Sequence, residues 1–325
     1  MDQNDRMKKM LSNGWVVCLI AICCCFLWGS AFPSIKIGYQ LFHIQKEAWN
    51  SQILFAGIRF TLAALMVILF GSFQNKKILF PEKDSWGRIF LVGLFQVVIQ
   101  YIFFYIGLAH ASGVKSSIIE ASNVFFAILF AGIVFRQEKI NPRKIAGTLI
   151  GFSGVLYVNL SGGNGLDFHF TLAGEGFVLI STVAASLAVV LTKKFTEKDN
   201  PVTLCGYQFL MGGLILMVLG AATGGQIGNA DARGWLLMIY MAFISAAAYS
   251  LWSVLLKYNP VSRVSIYGFS NPVFGVILSG LLLNEGKQAF GYQNIIALLL
   301  VSIGIYIVNA SFETGRGKRA AWKSQ

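Results

Sequence analysis

Two charged side chains stand inside long apolar stretches of this 325-residue sequence, Arg59 in the second stretch and Glu120 in the fourth. A charge within a membrane-spanning helix costs about 2.5–3.5 kcal/mol even on the insertion scale that gives the lowest values. With a rise of about 1.5 Å per residue, both lie roughly 9 Å below the same end of their helices. We therefore predict an ion pair between two helices; a substrate-binding or proton-coupling role for one of the two residues is the alternative.

Uncharged polar side chains lie inside other apolar stretches. Gln96 and Gln100 are four residues apart, so they share one face of a helix. An unpaired amide or hydroxyl in hydrocarbon costs several kcal/mol, so each such group must face protein, water or a ligand. For any single polar residue, a hydrogen bond to a neighbouring helix is as good an explanation as a position at a cavity. Together they predict a substrate cavity whose wall includes Trp28, Gln96, Gln100, Asn123, Tyr249 and Asn271.

The composition indicates that membrane-spanning helices position these side chains. Hydrophobic residues make up 56% of the sequence and charged residues 12%, with a mean hydropathy of +0.65. A soluble domain has about 45–50% apolar and about 25% charged residues. Because about 20 residues of helix cross a bilayer, we predict an all-α membrane protein of ten transmembrane helices, at residues 15–35, 53–73, 87–109, 114–135, 145–160, 174–191, 203–223, 235–256, 265–283 and 292–310.

The basic residues lie between the spans and mostly on one side. The sequence has a formal net charge of +12. Twenty Lys and Arg residues lie on the side of the N-terminus and five lie on the other side. By the positive-inside rule both termini are cytoplasmic, and we predict a multi-pass protein of the plasma membrane. Basic residues at helix ends control topology rather than bind phosphates, so no nucleic-acid partner is predicted.

The two halves of the sequence repeat each other. Ser122-Asn123 recurs as Ser270-Asn271 at a separation of 148, and residues 56–60 recur as residues 205–209 at a separation of 149. Two copies of an odd number of helices have opposite orientations, which is the inverted-repeat plan of secondary transporters, with the substrate site near the midplane. We predict a cavity between helices 1, 3 and 4 and helices 6, 8 and 9. The two five-helix repeats are predicted at residues 1–160 and 161–325.

Several short motifs resemble those of one transporter family. They are Phe26-Leu27-Trp28-Gly29-Ser30-Ala31-Phe32, Ile58-Arg59-Phe60, Phe135-Arg136-Gln137-Glu138 and Leu283-Asn284-Glu285. Because these motifs occur in this order and are repeated, the sequence resembles the drug/metabolite transporter superfamily, and within it the EamA-type ten-helix transporters. The resemblance implies a pseudosymmetric fold with cytoplasmic termini, and export or uptake of amino acids, metabolites, nucleotide sugars or drugs. Such carriers often have Pro in helix 4, where this chain has Asn123-Val124; helix 9 keeps Asn271-Pro272, so a helix break is expected in the second repeat only.

Motifs of other function classes are absent from the sequence. It contains no Gly-x-x-x-x-Gly-Lys-[Ser/Thr] loop, no His-Glu-x-x-His and no Gly-x-Ser-x-Gly. We predict no enzyme, no catalytic residues, no metal and no cofactor. The predicted function is a secondary transporter, a permease or exporter of a small metabolite such as an amino acid, working by alternating access; the alternative is a channel-like or receptor protein. The predicted partners are the small-molecule substrate and the lipid bilayer. Gly147 and Gly151 suit close packing, either within the bundle or in a homodimer.

Overall fold

The computed structural model describes residues 3–45, 47–110, 116, 119–161, 171–282, 292, 295–296, 299–308 and 310. All regular secondary structure in these residues is helical. A short N-terminal helix, Gln3–Leu11, precedes the apolar helices. These are α1 Gly14–Leu41, α2 Trp49–Gln74, α3 Ser85–His110, α4 Ile119–Val134, α5 Pro142–Ser161, α6 Leu172–Phe195, α7 Pro201–Ala222, α8 Ala232–Tyr258, α9 Val261–Leu282 and α10 Leu299–Val308.

The predicted all-α membrane fold is confirmed. Among the described residues, seven of these helices are long and apolar enough to cross a bilayer. The other three, α4, α5 and α10, occupy the places of the fourth, fifth and tenth predicted spans. Within the described ranges α4 and α10 are shorter than a span, and α5 begins with Pro142-Arg143-Lys144. The number ten therefore stays a prediction.

Three of the long helices begin at side chains that satisfy the first turn. Asn13 caps α1, Asn200 caps α7 just before Pro201, and Asp231 caps α8. In each case the side-chain oxygen accepts hydrogen bonds from backbone N–H groups that lack a partner within the helix. The short polar connectors thus fix where these helices start.

Glycines bring equivalent helices of the two halves into close contact. A Cβ atom on Gly57 of α2 would lie 2.5 Å from the backbone nitrogen of Met217 in α7, and one on Gly213 would lie 2.7 Å from that of Thr61. These distances are too short for any side chain, so the two backbones touch along this seam. The two halves of the chain meet along this α2–α7 contact.

The glycines of α5 serve a second seam within the same chain. A Cβ atom on Gly304 of α10 would lie 2.6 Å from the carbonyl oxygen of Gly147, and one on Gly151 would lie 2.5 Å from the ring of Phe269. This face of α5 is therefore filled by α9 and α10, which is the packing alternative stated above. A homodimer through another surface stays a prediction.

A pseudo-two-fold axis is marked by pairs of equivalent residues that contact each other. The hydroxyls of Tyr101 in α3 and Tyr249 in α8 are 2.7 Å apart and separated by 148 positions. The rings of Phe60 and Phe209, separated by 149 positions, have centroids 5.2 Å apart. Residues that meet their own repeat equivalents lie on the axis that relates the repeats.

Several helices depart from α geometry near this axis. α3 contains a π-helical segment, Leu94–Ile99, and α9 contains a 3₁₀ segment, Ile266–Phe269. Pro272 has no N–H, so it offers no donor to the carbonyl of Gly268 one turn earlier. The helix break predicted for the second repeat is therefore present.

The expectation that only the second repeat is broken is wrong. In α4 the chain makes a turn at Ser122, whose backbone nitrogen donates to the carbonyl of Ile119, 3.1 Å away. The Ser122 hydroxyl donates to the same carbonyl. A side-chain hydroxyl that competes for a helix carbonyl perturbs the helix without any proline.

Candidate functional site

A cavity of about 120 Å³ lies near the pseudo-two-fold axis, between α1, α2, α3, α4, α6, α8 and α9. The predicted walls, helices 1, 3, 4, 6, 8 and 9, all contribute, and α2 adds to them. Every candidate residue named from the sequence borders this one cavity: Trp28, Arg59, Gln96, Gln100, Glu120, Asn123, Tyr249 and Asn271. That these residues bind a substrate stays a prediction.

Arg59 places a buried cation at the cavity wall. Its side chain is 2% exposed. Nε donates to the carbonyl oxygen of Met241 at 3.2 Å, and Nη1 donates to the Tyr105 hydroxyl at 3.3 Å. Nη2 donates to no group of the described chain, and the guanidinium carbon lies 5.4 Å from the centroid of the Phe60 ring. Polar groups of α3 and α8 thus hold the guanidinium in place.

The predicted ion pair between Arg59 and Glu120 is not formed in this conformation. Both residues border the cavity, but within the described chain neither is the other's partner in an ion pair or hydrogen bond. The physical reason is that Tyr105 and the Met241 carbonyl already engage Arg59. Glu120 is half-buried, and its carboxylate has no hydrogen-bond donor among the described residues.

Four further polar atoms at the cavity wall are buried and have no hydrogen-bond partner in the described chain. They are Trp28 Nε1, Gln100 Oε1, Ser265 Oγ and Asn271 Oδ1. Leaving a buried donor or acceptor unsatisfied costs about 1–3 kcal/mol each. The cavity is roomy enough for water or a small ligand, which can satisfy a donor and several acceptors at once.

Gln96 has a different environment from Gln100. Its Oε1 accepts a hydrogen bond of 2.8 Å from Nε2 of Gln208 in α7. Gln208 is the repeat equivalent of Arg59, at the separation of 149 noted above. The Gln96 side chain therefore ties α3 to α7, as the contact alternative anticipated, while also bordering the cavity.

Aromatic rings form the apolar part of the wall. The Trp28 ring lies 5.0 Å from that of Tyr249 and 4.9 Å from that of Trp252, both in edge-to-face geometry. Phe32 and Phe104 pack 6.2 Å apart beside them. Sequence reasoning missed Trp252, although its position three residues after Tyr249 puts both on one face of α8.

It also missed Ser265, which lies on α9 with Gly268 and Asn271. All three border the cavity, at intervals of three residues. That spacing matches the 3₁₀ segment between them, in which residues three apart are aligned. The three-residue spacing indicates a shared face only once this segment is known to be a 3₁₀ helix, which the sequence alone does not show.

A polar network joins three helix ends on the side of the N-terminus. Glu138, after α4, accepts hydrogen bonds from the Ser262 backbone nitrogen at 2.9 Å, the Ser262 hydroxyl at 2.7 Å and Lys144 Nζ at 2.9 Å. Ser262 lies in the first turn of α9, about one turn before Ser265. One carboxylate therefore ties the ends of α4, α5 and α9 together, about one turn of α9 away from the cavity residue Ser265.

A second ion pair outside the spans joins α3 to the connector before α7. Asp199 accepts from Arg88 Nε at 2.5 Å, from Arg88 Nη2 at 2.9 Å and from the Ser85 hydroxyl at 2.6 Å. Burial raises the pKa of Asp199, but these hydrogen bonds and the positive charge of Arg88 lower it more, so the net pKa lies below its usual value. This cluster is architectural, since it lies apart from the cavity.

An all-helical membrane bundle that encloses a polar cavity between two related helix sets is the arrangement of membrane transporters. The comparisons with known proteins agree. The chain belongs to the EamA-like transporter family, whose sequence profile matches residues 15–160 and again residues 172–310.

Curated relatives cover nearly the whole chain. An uncharacterized transporter of Archaeoglobus fulgidus is 27% identical over 308 residues, which is 93% of this chain and 99% of the relative. The uncharacterized transporter YvbV of Bacillus subtilis is 24% identical, covering 87% of this chain and 88% of the relative. A chloroplastic WAT1-related protein of Arabidopsis thaliana is 23% identical, covering 94% and 73%. These descriptions indicate a transporter rather than an enzyme.

A solved crystal structure shares the fold. It superposes with a TM-score of 0.73 at 17% sequence identity, covering 90% of this chain and 98% of that chain. At this identity the likeness concerns the architecture alone.

Proposed function

We propose that the protein is a secondary transporter that carries a small zwitterionic metabolite, with amino acids as the candidate class, across the plasma membrane by alternating access. The observation that carries the proposal is that one cavity holds a fixed cation and, beside aromatic rings, a carboxyl and amide oxygens that have no partner among the described residues. An amino acid presents the complementary groups: a carboxylate, an ammonium and a side chain.

Each part of such a solute has a matching partner. The guanidinium of Arg59 suits a carboxylate, since charge-assisted hydrogen bonds are roughly twice as strong as neutral ones. The carboxyl of Glu120 and the acceptor oxygens of Gln100 and Asn271 suit an ammonium group, which donates three hydrogen bonds. The rings of Trp28 and Trp252 suit an apolar side chain.

Alternating access is supported by the closure on one side. The Glu138 network and the apolar contact of α4 with α9 join helices at the N-terminal side of the bundle. In inverted-repeat carriers, equivalent helices take turns at closing the two sides of a fixed site. A permanently open pore needs no such closing layer.

Reconstituted protein distinguishes a carrier from a channel or receptor. Proteoliposomes are loaded with unlabelled amino acids, and the initial uptake of labelled amino acids is measured against concentration. A carrier saturates and is stimulated by substrate on the opposite side. Uptake that stays linear, without stimulation by internal substrate, supports the channel alternative instead, and the absence of any uptake in both assays overturns the proposal.

Replacing Gln100 by Leu is expected to reduce uptake at least about tenfold, because one ligand-facing amide is worth roughly 1.5–3 kcal/mol when it binds a charged group. The melting temperature should fall less than in the control below, since Gln100 Oε1 has no partner in the described chain and only the hydrogen bond of this side chain to Tyr249 is lost. Gln96→Leu is the matched control: it removes the hydrogen bond to Gln208 and should lower the melting temperature. Unchanged uptake in Gln100→Leu would return the residue to a packing role.

The orientation is part of the proposal. Both termini are placed in the cytoplasm because twenty of the Lys and Arg residues lie on their side of the spans. Reporter fusions after Ser161 and after Gln325 are expected to report opposite sides of the membrane. If both report one side, the two repeats do not have opposite orientations.

A further inference from the structure

We propose that Glu120 binds a proton when the cavity is empty, and that an amino group of the substrate displaces this proton. Substrate that enters from one side and a proton that enters from the other then bind in turn to a single carboxyl, so that one is exchanged for the other. This inference rests on the proposed function and adds to it the coupling ion and the residue that carries it.

The first step is the isolation of the carboxyl. Glu120 borders the cavity and is half-buried, and within the described chain it has neither an ion-pair partner nor a hydrogen-bond donor. A buried charge without a partner is strongly destabilising. Two ligands remove the cost: a proton, which neutralises the carboxylate, or a cationic group, which pairs with it.

The second step concerns the other charged and titratable groups around the cavity. α2 contributes Arg59, α3 contributes Tyr101 and α8 contributes Tyr249. The described lining residues of α1, α6 and α9 are uncharged: Trp28, Ala31, Phe32, Ile35, Ala185, Val189, Ser265, Gly268 and Asn271.

None of these groups substitutes for a proton on Glu120. Arg59 is turned toward Tyr105 and the Met241 carbonyl. The hydroxyls of Tyr101 and Tyr249 share a hydrogen bond with each other, and within the described chain neither donates to Glu120. Within the described cavity wall, the carboxyl of Glu120 therefore has no protein partner, and a proton or a cationic group from solution must supply one.

The exchange is balanced in atoms and charge. A protonated Glu120 meets a substrate ammonium, the carboxyl O–H bond breaks, the proton goes to water, and the carboxylate pairs with the ammonium. No other reactant is consumed. Because proton and ammonium compete for the same oxygens, each weakens binding of the other by the same factor.

The test uses the full chain, purified in detergent and reconstituted in liposomes, as wild type, Glu120→Gln and Glu120→Asp. Glu82→Gln is the matched control, since Glu82 is exposed and remote from the cavity. The probes are the natural amino acids, each paired with the acid that lacks the amino group. Binding is measured by thermal shift from pH 5 to pH 9, and proton release by an indicator dye in weakly buffered solution.

For wild type we expect about one proton released per amino acid bound, and an affinity that falls tenfold per pH unit on the acid side of the Glu120 titration. Glu120→Gln should bind at least about tenfold more weakly, release no proton and lose this pH dependence. Glu120→Asp should keep proton release, and Glu82→Gln should match wild type. In liposomes, an inside-acid pH gradient should drive amino-acid accumulation by the wild-type protein. The same gradient should drive only weak accumulation by Glu120→Gln.

Two failures are distinguishable. If no amino acid is bound or transported by wild type, the proposed function is overturned and this inference with it. If amino acids are transported but no proton is released, or if uptake follows a sodium gradient rather than a pH gradient, the proposed function stands and the proton site at Glu120 is overturned. Glu120→Gln that behaves as wild type also overturns it.

Discussion

Replacing Glu138 by Ala should lower the free energy of unfolding by at least about 3 kcal/mol, because hydrogen bonds to a charged group contribute roughly 1.5–3 kcal/mol each. Glu138 accepts three of them, two from Ser262 and one from Lys144. The substitution leaves the first turn of α9 without this acceptor and removes a carboxylate from beside a buried ammonium. Thermal unfolding in detergent measures the loss.

Two further variants isolate the cause of that loss. Glu138→Gln keeps an acceptor for Ser262 but no charge, so its melting temperature should fall between those of wild type and Glu138→Ala. Glu82→Ala removes an exposed carboxylate and should stay within about 0.5 kcal/mol of wild type. If Glu138→Ala and Glu82→Ala have the same melting temperature, the network contributes nothing to stability.

Replacing Gly57 by Ala should destabilise the protein by about 1–3 kcal/mol or more, because overpacking forces backbone shifts. The new methyl group would lie 2.5 Å from the Met217 backbone nitrogen and 2.9 Å from the Gly213 carbonyl oxygen. Backbone atoms of a neighbouring helix cannot turn aside as a side chain can, so α2 and α7 must separate. Thermal unfolding and the yield of folded protein report the effect.

Gly87 provides the matched control for this substitution. It also lies in a helix, but a Cβ atom there would meet nothing within 4 Å. Alanine is favoured over glycine within a helix by about 1 kcal/mol, so Gly87→Ala should be neutral or stabilising. Equal effects of the two substitutions would contradict the close contact of α2 with α7.

Much of the candidate site was predictable because polar groups in hydrocarbon have few explanations. Apolar runs placed the helices, and the recurrence of residues at a fixed separation showed which helices are equivalent. From these two facts the side chains of Trp28, Gln100 and Asn271 were assigned to a common cavity, and the structure does bring them to one. Their role in binding stays a prediction.

What could not be predicted is the rotation of each helix about its own axis. Sequence position gives the depth of Arg59 and Glu120 in the membrane, but not the direction in which each side chain points, so a direct pair was expected where Arg59 instead meets Tyr105. Gln96 and Gln100 were assigned one face on α-helical spacing. The π-helical segment Leu94–Ile99 changes the angle between them, and Gln96 meets Gln208 instead.

The number of spans shows a related limit. Hydropathy weighs composition, whereas crossing a bilayer also needs an uninterrupted helix of sufficient length. The described residues give that length for seven helices but not for α4 and α10. The turn at Ser122 in α4 arises from a local hydroxyl bond, which no hydropathy scale records.

The contact of Tyr101 with Tyr249 also bears on how a single chain can differ from a symmetric pair of identical subunits. In such a pair, one tyrosine would meet its own copy across the dyad, and every substitution would appear twice around the cavity. Covalent joining of the two halves removes that constraint. Opposite Arg59, the second half carries Gln208, and opposite Glu120, at the separation of 148, it carries Gly268. The fused chain can thus give its cavity one cation and one acid rather than two of each, and so distinguish one end of a bound molecule from the other.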